Sequence, residues 1–227
     1  MPENLDPILA PGLALLFDMD GVIVHSNPVH EEAWTAFNRG YGLETTPEML
    51  ANMYGKRNDE IVRDYFGKGL DPAEVFARGA AKEKLYREMI AGRLESMLVP
   101  GLRDFLEAYC FAPLAVASNA EPENVDYILD RANLRHYFQA VVDGHQVERP
   151  KPFPDVYLRA ALLLNVAPRN CIVLEDSMSG VAAARAAGMR VIGIRTTHVN
   201  LPGTDFTADN FLNGSLRSWL KAQQRAV

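Results

Sequence analysis

The sequence has little cysteine and no cluster of basic residues. Its two cysteines, Cys110 and Cys171, are far apart and neither sits in a CxxC pair, so a zinc site is not indicated. Both are expected to be buried free thiols, the usual state of unpaired cysteine. The net charge is −6, from 23 basic and 29 acidic residues, which disfavours a nucleic-acid partner.

Long apolar runs are also missing. No run reaches the length of a membrane span, and residues 1–12 lack the basic-then-apolar order of a signal peptide. Apolar residues make up 48% of the chain and charged residues 23%, which is an ordinary globular balance. We therefore expect a cytoplasmic protein without membrane contacts, present as a monomer or a small homo-oligomer.

The sequence does contain a series of short, continuous apolar runs. Such runs are typical of strands that are buried on both faces of a sheet. They occupy residues 13–17, 114–117, 140–142, 172–174 and 191–194. Amphipathic helical patterns lie between most of these runs. Strands that alternate with helices predict an α/β fold, with a parallel sheet covered by helices on both faces.

Residues 29–95 interrupt this alternation. The segment holds no buried-strand run, and its apolar residues recur at helical spacing. Thr46-Pro47 and Asp71-Pro72 are typical helix starts, with a capping side chain followed by proline in the first turn. We therefore predict a core domain over residues 1–28 and 96–227, and a small helical domain over 29–95 that covers the end of the sheet.

Polar residues follow several of the predicted strands at the point where each strand ends. The carboxyl ends of parallel strands meet at one edge of a sheet, where ligands of such folds bind. We therefore expect these side chains to converge there, joined by a lysine that lies just before a helix. In chain order they are Asp18, Asp20, Gly21, Ser118, Asn119, Lys151, Glu175 and Asp176.

This set of side chains suits phosphoryl transfer. Clustered carboxylates repel one another, and a bound Mg²⁺ relieves that repulsion. One carboxylate can then attack phosphorus, while a second protonates the leaving oxygen and later deprotonates water. Lysine and serine can stabilise the charge that builds on the phosphoryl oxygens. A glycine at the turn allows backbone N–H groups to face the phosphate.

Four ordered motifs of the chain resemble those of the haloacid dehalogenase superfamily. They are residues 17–22 (FDMDGV), Ser118-Asn119, Lys151-Pro152 and Glu175-Asp176. The helical insertion after the first strand, with Ser177 and Gly180, resembles the β-phosphoglucomutase-like branch of that superfamily. The resemblance runs from Leu13 to about Phe211. It implies a Rossmann-like core with a mobile helical cap, Mg²⁺ as cofactor and a small phosphorylated metabolite as substrate.

The resemblance also implies a role for each motif residue. Asp18 would be the nucleophile and a metal ligand, and Asp20 the general acid/base that gives its backbone carbonyl to the metal. Glu175 and Asp176 would complete the metal site. The residues expected to hold the transferring phosphoryl group are Gly21, Ser118, Asn119 and Lys151.

Cap residues are less strongly patterned. His30 stands where members of the branch often carry a histidine that reaches the site, although a water-facing position in the first turn of a helix fits equally. Arg57 resembles a cap arginine that grips a second phosphate, against the alternative of an exposed arginine at a helix start. Lys82 resembles another cap cation of the branch, against the alternative of a solvated face, for which its charged run is typical. His25 replaces the usual aspartate, and its role stays open.

These observations favour a phosphatase of small phosphomonoesters, with sugar phosphates as the expected substrates. The alternative is a β-phosphoglucomutase, which must also hold a distal phosphate with the residues that follow the serine. Here these residues are Ala120, Glu121 and Pro122. Alanine has no hydroxyl, the charge of the glutamate would repel a phosphate, and proline has no N–H. A third reading, a non-catalytic binding module on the same fold, would be favoured by loss of a motif residue, and none is lost.

Overall fold

The computed structural model describes residues 12–223. Its centre is a six-stranded parallel sheet with the strand order β3-β2-β1-β4-β5-β6. The strands are β1 (Ala14–Phe17), β2 (Leu114–Ala117), β3 (Ala140–Val142), β4 (Cys171–Glu175), β5 (Arg190–Ile194) and β6 (Phe206–Ala208). The prediction of a Rossmann-like α/β fold is confirmed. Five strands coincide with the predicted apolar runs, and β6 lies outside them.

Helices surround the sheet and fill the segment between its first two strands. In that segment lie α1 (Asn27–Gly40), α2 (Pro47–Ala51), α3 (Asn58–Phe66), α4 (Pro72–Ile90) and α5 (Leu94–Met97). The later helices are α6 (Leu102–Ala108), α7 (Pro122–Arg131), α8 (Asp155–Leu163), α9 (Met178–Ala186) and α10 (Gly214–Ala222). Short 3₁₀ turns cover Arg135–Tyr137 and Pro168–Asn170. None of the helices in residues 12–223 combines the length and apolar character needed to cross a bilayer.

The sheet separates two apolar cores. Along β1, Leu15 and Phe17 pack into the core on one face, whereas Ala14 and Leu16 pack into the core on the other. This alternation follows from the two-residue period of a strand, and it explains why the runs are apolar without interruption. Both free cysteines were expected to be buried; Cys171 is buried, but Cys110 is only half-buried.

The helical segment has an apolar core of its own. Trp34, Met53, Ile61, Val62 and Val75 form a cluster separate from the two cores of the sheet. Two of its helices begin as the capping residues predict. Thr46 accepts a hydrogen bond from the Met49 N–H, and Asp71 accepts one from the Ala73 N–H. The separate cluster fits a cap domain, and the domain boundaries proposed from the sequence stay predictions.

Candidate active site

The predicted site residues gather at the carboxyl edge of three neighbouring strands. Asp18 directly follows β1, Ser118 follows β2 and Asp176 follows β4, and these strands are adjacent in the order β2-β1-β4. Lys151 approaches from the loop before α8. All four side chains line one cavity, which helices of the cap cover from the other side. The structure therefore brings together the side chains that the strand-end rule groups, and their roles stay predictions.

Lys151 joins two of the carboxylates. Its Nζ lies 2.6 Å from Asp18 Oδ1 and 2.7 Å from Glu175 Oε1, and all three side chains are buried. Burial alone would lower the pKa of Lys151, but Asp18 and Glu175 raise it well above its ordinary value. The lysine therefore stays charged and presents a fixed positive charge to Asp18.

Both carboxylate oxygens of Glu175 are occupied by donors. Oε1 accepts from Lys151 Nζ and from the Tyr157 hydroxyl, each at 2.7 Å. Oε2 accepts from the N–H groups of Asp176 and Ser177 and from the Ser177 hydroxyl. Burial raises the pKa of Glu175, but these donors outweigh it and hold the pKa below its ordinary value. Glu175 thus orients Lys151 and the turn into α9.

The carboxylates of Asp18, Glu175 and Asp176 are close enough to share a cation. Each offers one oxygen, and the three oxygens lie within 4.8 Å of one another. Burial, with contributions from Glu175 and Asp20, raises the pKa of Asp18 to about 8 in spite of Lys151. Burial and the two neighbouring carboxylates also raise the pKa of Asp176 well above its usual range. An all-oxygen, acidic and buried set of this kind fits a hard divalent cation.

Asp176 is held in place by residues that the sequence analysis missed. Its Oδ2 accepts hydrogen bonds from Thr197 Oγ1 and, at 3.2 Å, from Asn27 Nδ2. Thr197 lies just after β5, so extending the strand-end rule to the fifth strand would have found it. Gly21, at φ +82°, leaves room for this carboxylate, because a Cβ there would lie 1.9 Å from Asp176 Oδ2.

The Asp20 carboxylate lines the same cavity and has its own polar partners, Ser26 and His30. Ser26 Oγ donates to Asp20 Oδ1 at 2.5 Å, and His30 Nε2 lies 3.4 Å from the same oxygen. Lys82 Nζ lies 2.7 Å from His30 Nδ1. An ammonium group can only donate, so Nδ1 must accept and Nε2 carries the proton that faces Asp20. Burial raises the pKa of Asp20, but His30 and Ser26 outweigh it and lower that pKa.

The matches to known proteins agree with this geometry. Residues 13–188 match the sequence model of the haloacid dehalogenase-like hydrolases. The chain belongs to this family. It is 33% identical over 184 residues to the fructose-1-phosphate phosphatase YqaB of Escherichia coli, a match that covers 80% of this chain and 95% of that protein.

Two further similarities place the hydrolase within the family. It is 32% identical to a phosphorylated carbohydrates phosphatase of Thermotoga maritima, over 80% of this chain and 84% of that one. Its fold resembles the β-phosphoglucomutase of Clostridium difficile, with a TM-score of 0.83 at 22% identity, over 94% of this chain and 99% of the other. The predictions of an enzyme of this family and of its β-phosphoglucomutase-like branch are confirmed.

The two polar residues that follow β2, Ser118 and Asn119, have hydrogen-bond partners of their own. The Ser118 hydroxyl accepts from the Ala120 N–H at 3.1 Å. The Asn119 amide donates to the Gly55 carbonyl of the cap at 2.8 Å and accepts from the Lys151 N–H at 3.2 Å. Both residues line the cavity, and Asn119 also joins the cap to the core.

The cap residues divide into two groups. His30 and Lys82 line the cavity, and Lys82 is 1% exposed, so the charged run 82–84 is not simply a solvated face. Arg57 is not among the cavity-lining residues. Its guanidinium donates to the carbonyls of Val147 at 3.0 Å and Glu148 at 3.4 Å, which joins the cap to a core loop. His25 contributes its N–H to the Met97 carbonyl, and its Nδ1 is buried without a partner among the described residues.

Proposed function

We propose that this hydrolase is a Mg²⁺-dependent phosphatase of small phosphomonoesters, with sugar phosphates as the substrate class. The observation that carries the proposal is the convergence of Asp18, Asp20, Ser118 and Lys151 on one cavity, with Lys151 2.6 Å from the Asp18 carboxylate. The names of two relatives, a fructose-1-phosphate phosphatase and a phosphorylated carbohydrates phosphatase, support the substrate class.

The metal would be held by the carboxylates of Asp18 and Asp176 and by the backbone carbonyl of Asp20. Glu175 is close enough to join them, but its oxygens already accept five hydrogen bonds, so we assign it to holding Lys151. Bound Mg²⁺ would supply positive charge between the acidic cluster and the phosphoryl group. Asn27 and Thr197 would orient Asp176 as a ligand.

The chain's own residues account for the two chemical steps. An oxygen of Asp18 forms a bond to phosphorus, and the bond to the substrate's leaving oxygen breaks as Asp20 gives that oxygen a proton. Lys151 and the Ser118 hydroxyl stabilise the phosphoryl oxygens. In the second step a water oxygen bonds to phosphorus, Asp20 takes back a proton, and the bond to Asp18 breaks to release phosphate.

The pairing of cations favours hydrolysis over the mutase reaction. Three lysines line the cavity in the described part of the chain, and each has an acidic partner: Lys56 with Asp64, Lys82 with Glu83, and Lys151 with Asp18. A second phosphate would need a free cation at the far end of the cavity. A substrate whose non-phosphoryl end is neutral fits better, and water is then the acceptor of the phosphoryl group.

One assay separates phosphatase from mutase. The enzyme is incubated with Mg²⁺ and a panel of sugar monophosphates, and free phosphate is measured with and without EDTA. A parallel reaction holds β-glucose 1-phosphate and its bisphosphate primer, and glucose 6-phosphate is measured. We expect phosphate release that EDTA abolishes and added Mg²⁺ restores. Isomerisation that outruns release would overturn the proposal in favour of the mutase.

A further inference from the structure

A core asparagine lies between two charged residues of the cap. Asn124, on α7, donates from Nδ2 to Glu83 Oε2 at 2.6 Å, and its Oδ1 accepts from Arg87 Nη1 at 2.7 Å. Asn124 is 1% exposed and Glu83 is 4% exposed. Both partners belong to α4, whereas Asn124 belongs to the core. The contact is therefore a buried polar junction between the two parts of the molecule.

The junction continues from Glu83 to the acid/base residue. Glu83 Oε1 accepts from Lys82 Nζ at 2.8 Å, and Lys82 Nζ lies 2.7 Å from His30 Nδ1. His30 Nε2 in turn faces Asp20 Oδ1 at 3.4 Å. His30 is also stacked on Tyr86, with ring centroids 3.8 Å apart, which fixes the plane of the imidazole. A continuous chain of polar contacts thus runs from α7 through the cap to Asp20.

The spacing of the two cap residues makes this junction sensitive to cap position. Glu83 and Arg87 are four residues apart on one helix, so they can pair directly when nothing lies between them. An amide has a donor and an acceptor, and it can serve the carboxylate and the guanidinium at the same time. With the cap on the core, Asn124 takes that place. When the cap moves away, Glu83 is free to turn toward Arg87.

Other contacts between cap and core join different elements. Asn119 reaches the Gly55 carbonyl, Arg57 reaches Val147, and Asn58 Nδ2 reaches Glu121 Oε1 at 3.3 Å. These contacts fix the loop and the helix start at residues 55–58. They hold the cap down without touching α4, which carries Lys82 and Glu83.

We propose that Asn124 is a positioning residue that couples closure of the cap to the orientation of Asp20. By holding Glu83, it keeps Lys82 on His30 Nδ1, so that the Nε2–H of His30 faces the acid/base carboxylate. This inference rests on the proposed function, because it assigns Asp20 the acid/base role. The contact between Asn124 and Glu83 would make turnover efficient only when the cap lies on the core.

The kinetic test uses Arg87, which lies outside the residues lining the catalytic cavity. Arg87→Met removes one side of the junction without removing a cavity-lining side chain. We expect kcat for phosphate release to fall about tenfold while KM stays within about twofold, in line with coupling energies of this kind. Arg87→Lys retains a donor and should recover part of kcat. Lys84→Met, an exposed charge removal on the same helix, is the matched control and should leave both constants unchanged.

A variant on the other side of the junction and a structural measurement test the proposal independently of Arg87 and of turnover. Asn124→Leu should lower kcat as Arg87→Met does, and the double variant should lose little more than either single one. Spin labels at Phe76 in the cap and Phe111 in the core, both exposed, in a Cys110→Ser background, report cap position without any substrate. Asn124→Leu should broaden their distance distribution relative to the unsubstituted junction.

The outcomes distinguish this inference from the proposed function. An active parent enzyme whose kcat is unchanged in both Arg87→Met and Asn124→Leu would overturn the coupling role and leave the phosphatase proposal intact. A rise in KM alone would also overturn it, because Asn124 would then only contact substrate. A parent enzyme that releases no phosphate from the panel would count against the proposed function, while an unchanged label distance would still count against the junction.

Discussion

Asp18 and Asp20 are two residues apart, and their surroundings give them different chemistry. Asp18 lies beside Lys151 and the acidic cluster, whereas Asp20 lies beside Ser26 and His30. Burial with like charges raises the pKa of Asp18, and polar partners lower that of Asp20. Attack on phosphorus needs the ionised carboxylate of Asp18, which a bound divalent cation would favour, whereas Asp20 has to take up a proton against its lowered pKa before it can act as an acid.

Replacement of Asp20 tests this division. In Asp20→Asn the carboxyl proton is lost while the shape of the side chain is retained. We expect steady-state phosphate release to fall by about 10²- to 10⁴-fold, the usual contribution of a positioned acid/base. With p-nitrophenyl phosphate, whose leaving group needs no proton, a burst of nitrophenol equal to the enzyme concentration should precede slow turnover. Unchanged steady-state release would rule out the acid/base role.

Two buried tyrosines provide a matched test of the support around Lys151. The Tyr157 hydroxyl donates to Glu175 at 2.7 Å, whereas the Tyr109 hydroxyl has no hydrogen-bond partner in the described part of the chain. Tyr157→Phe should lower the free energy of unfolding by about 1.5–3 kcal/mol, the cost of a lost hydrogen bond to a charged group. Tyr109→Phe should change it little, as measured by urea unfolding. Equal losses in both variants would contradict this account.

At the scale of elements, the cap loop meets the start of α9 at a glycine. Gly55 has φ +74°, and a Cβ there would lie 2.2 Å from Ser179 Oγ. Gly42 has a similar φ of +71°, but a Cβ there would meet nothing within 4 Å. A substitution at either glycine would therefore strain the backbone, but only a substitution at Gly55 would also cause a clash between cap and core.

This pair separates strain from cap docking. Gly55→Ala should lower kcat/KM by up to about tenfold, because either the Ser179 hydroxyl rotates away or the cap shifts to relieve the contact, and a shifted cap positions substrate less well. Gly42→Ala should lower stability by about 1 kcal/mol without a comparable kinetic effect. Steady-state kinetics and thermal unfolding of both variants provide the check. A kinetic loss of equal size in Gly42→Ala would show that docking of the loop is not the cause.

The strands that could be predicted from the sequence are those whose apolar residues are also buried in the structure. Four of the five apolar runs become strands buried almost throughout, whereas β6 has three residues, two of them half-buried, and no apolar run to announce it. The acidic site is predictable because the residues follow strand ends. The junction at Glu83 and Asn124 cannot be predicted in this way. A charged run is typical of a solvated face, and only the packing of the helices shows which of its side chains are buried.

At the scale of the whole molecule, the buried charges of the cap link stability to pH. Burial on its own raises the pKa of Glu83, but Lys82, His30 and Asn124 lower it to about 2. A carboxyl group with a lowered pKa contributes stability above its ordinary value of 4.5, and that contribution is lost as pH falls toward 2.

The difference between parent and Glu83→Gln isolates this contribution. We expect the parent to have the larger free energy of unfolding at pH 7, and the difference to shrink progressively between about pH 5 and pH 2. Urea unfolding at several pH values in that range measures it. A difference that stays constant across the range would mean that the charge of Glu83 does not contribute to stability.

The central claim is that Asp18 receives the phosphoryl group and water removes it. Acid quenching during turnover of a sugar monophosphate, followed by peptide mapping, tests it most directly. We expect a phosphoryl group on Asp18 in the quenched enzyme, its decay at the rate of phosphate release, and loss of both in Asp18→Asn. Turnover with no phosphoryl group on Asp18, or undiminished phosphate release by Asp18→Asn, would contradict it.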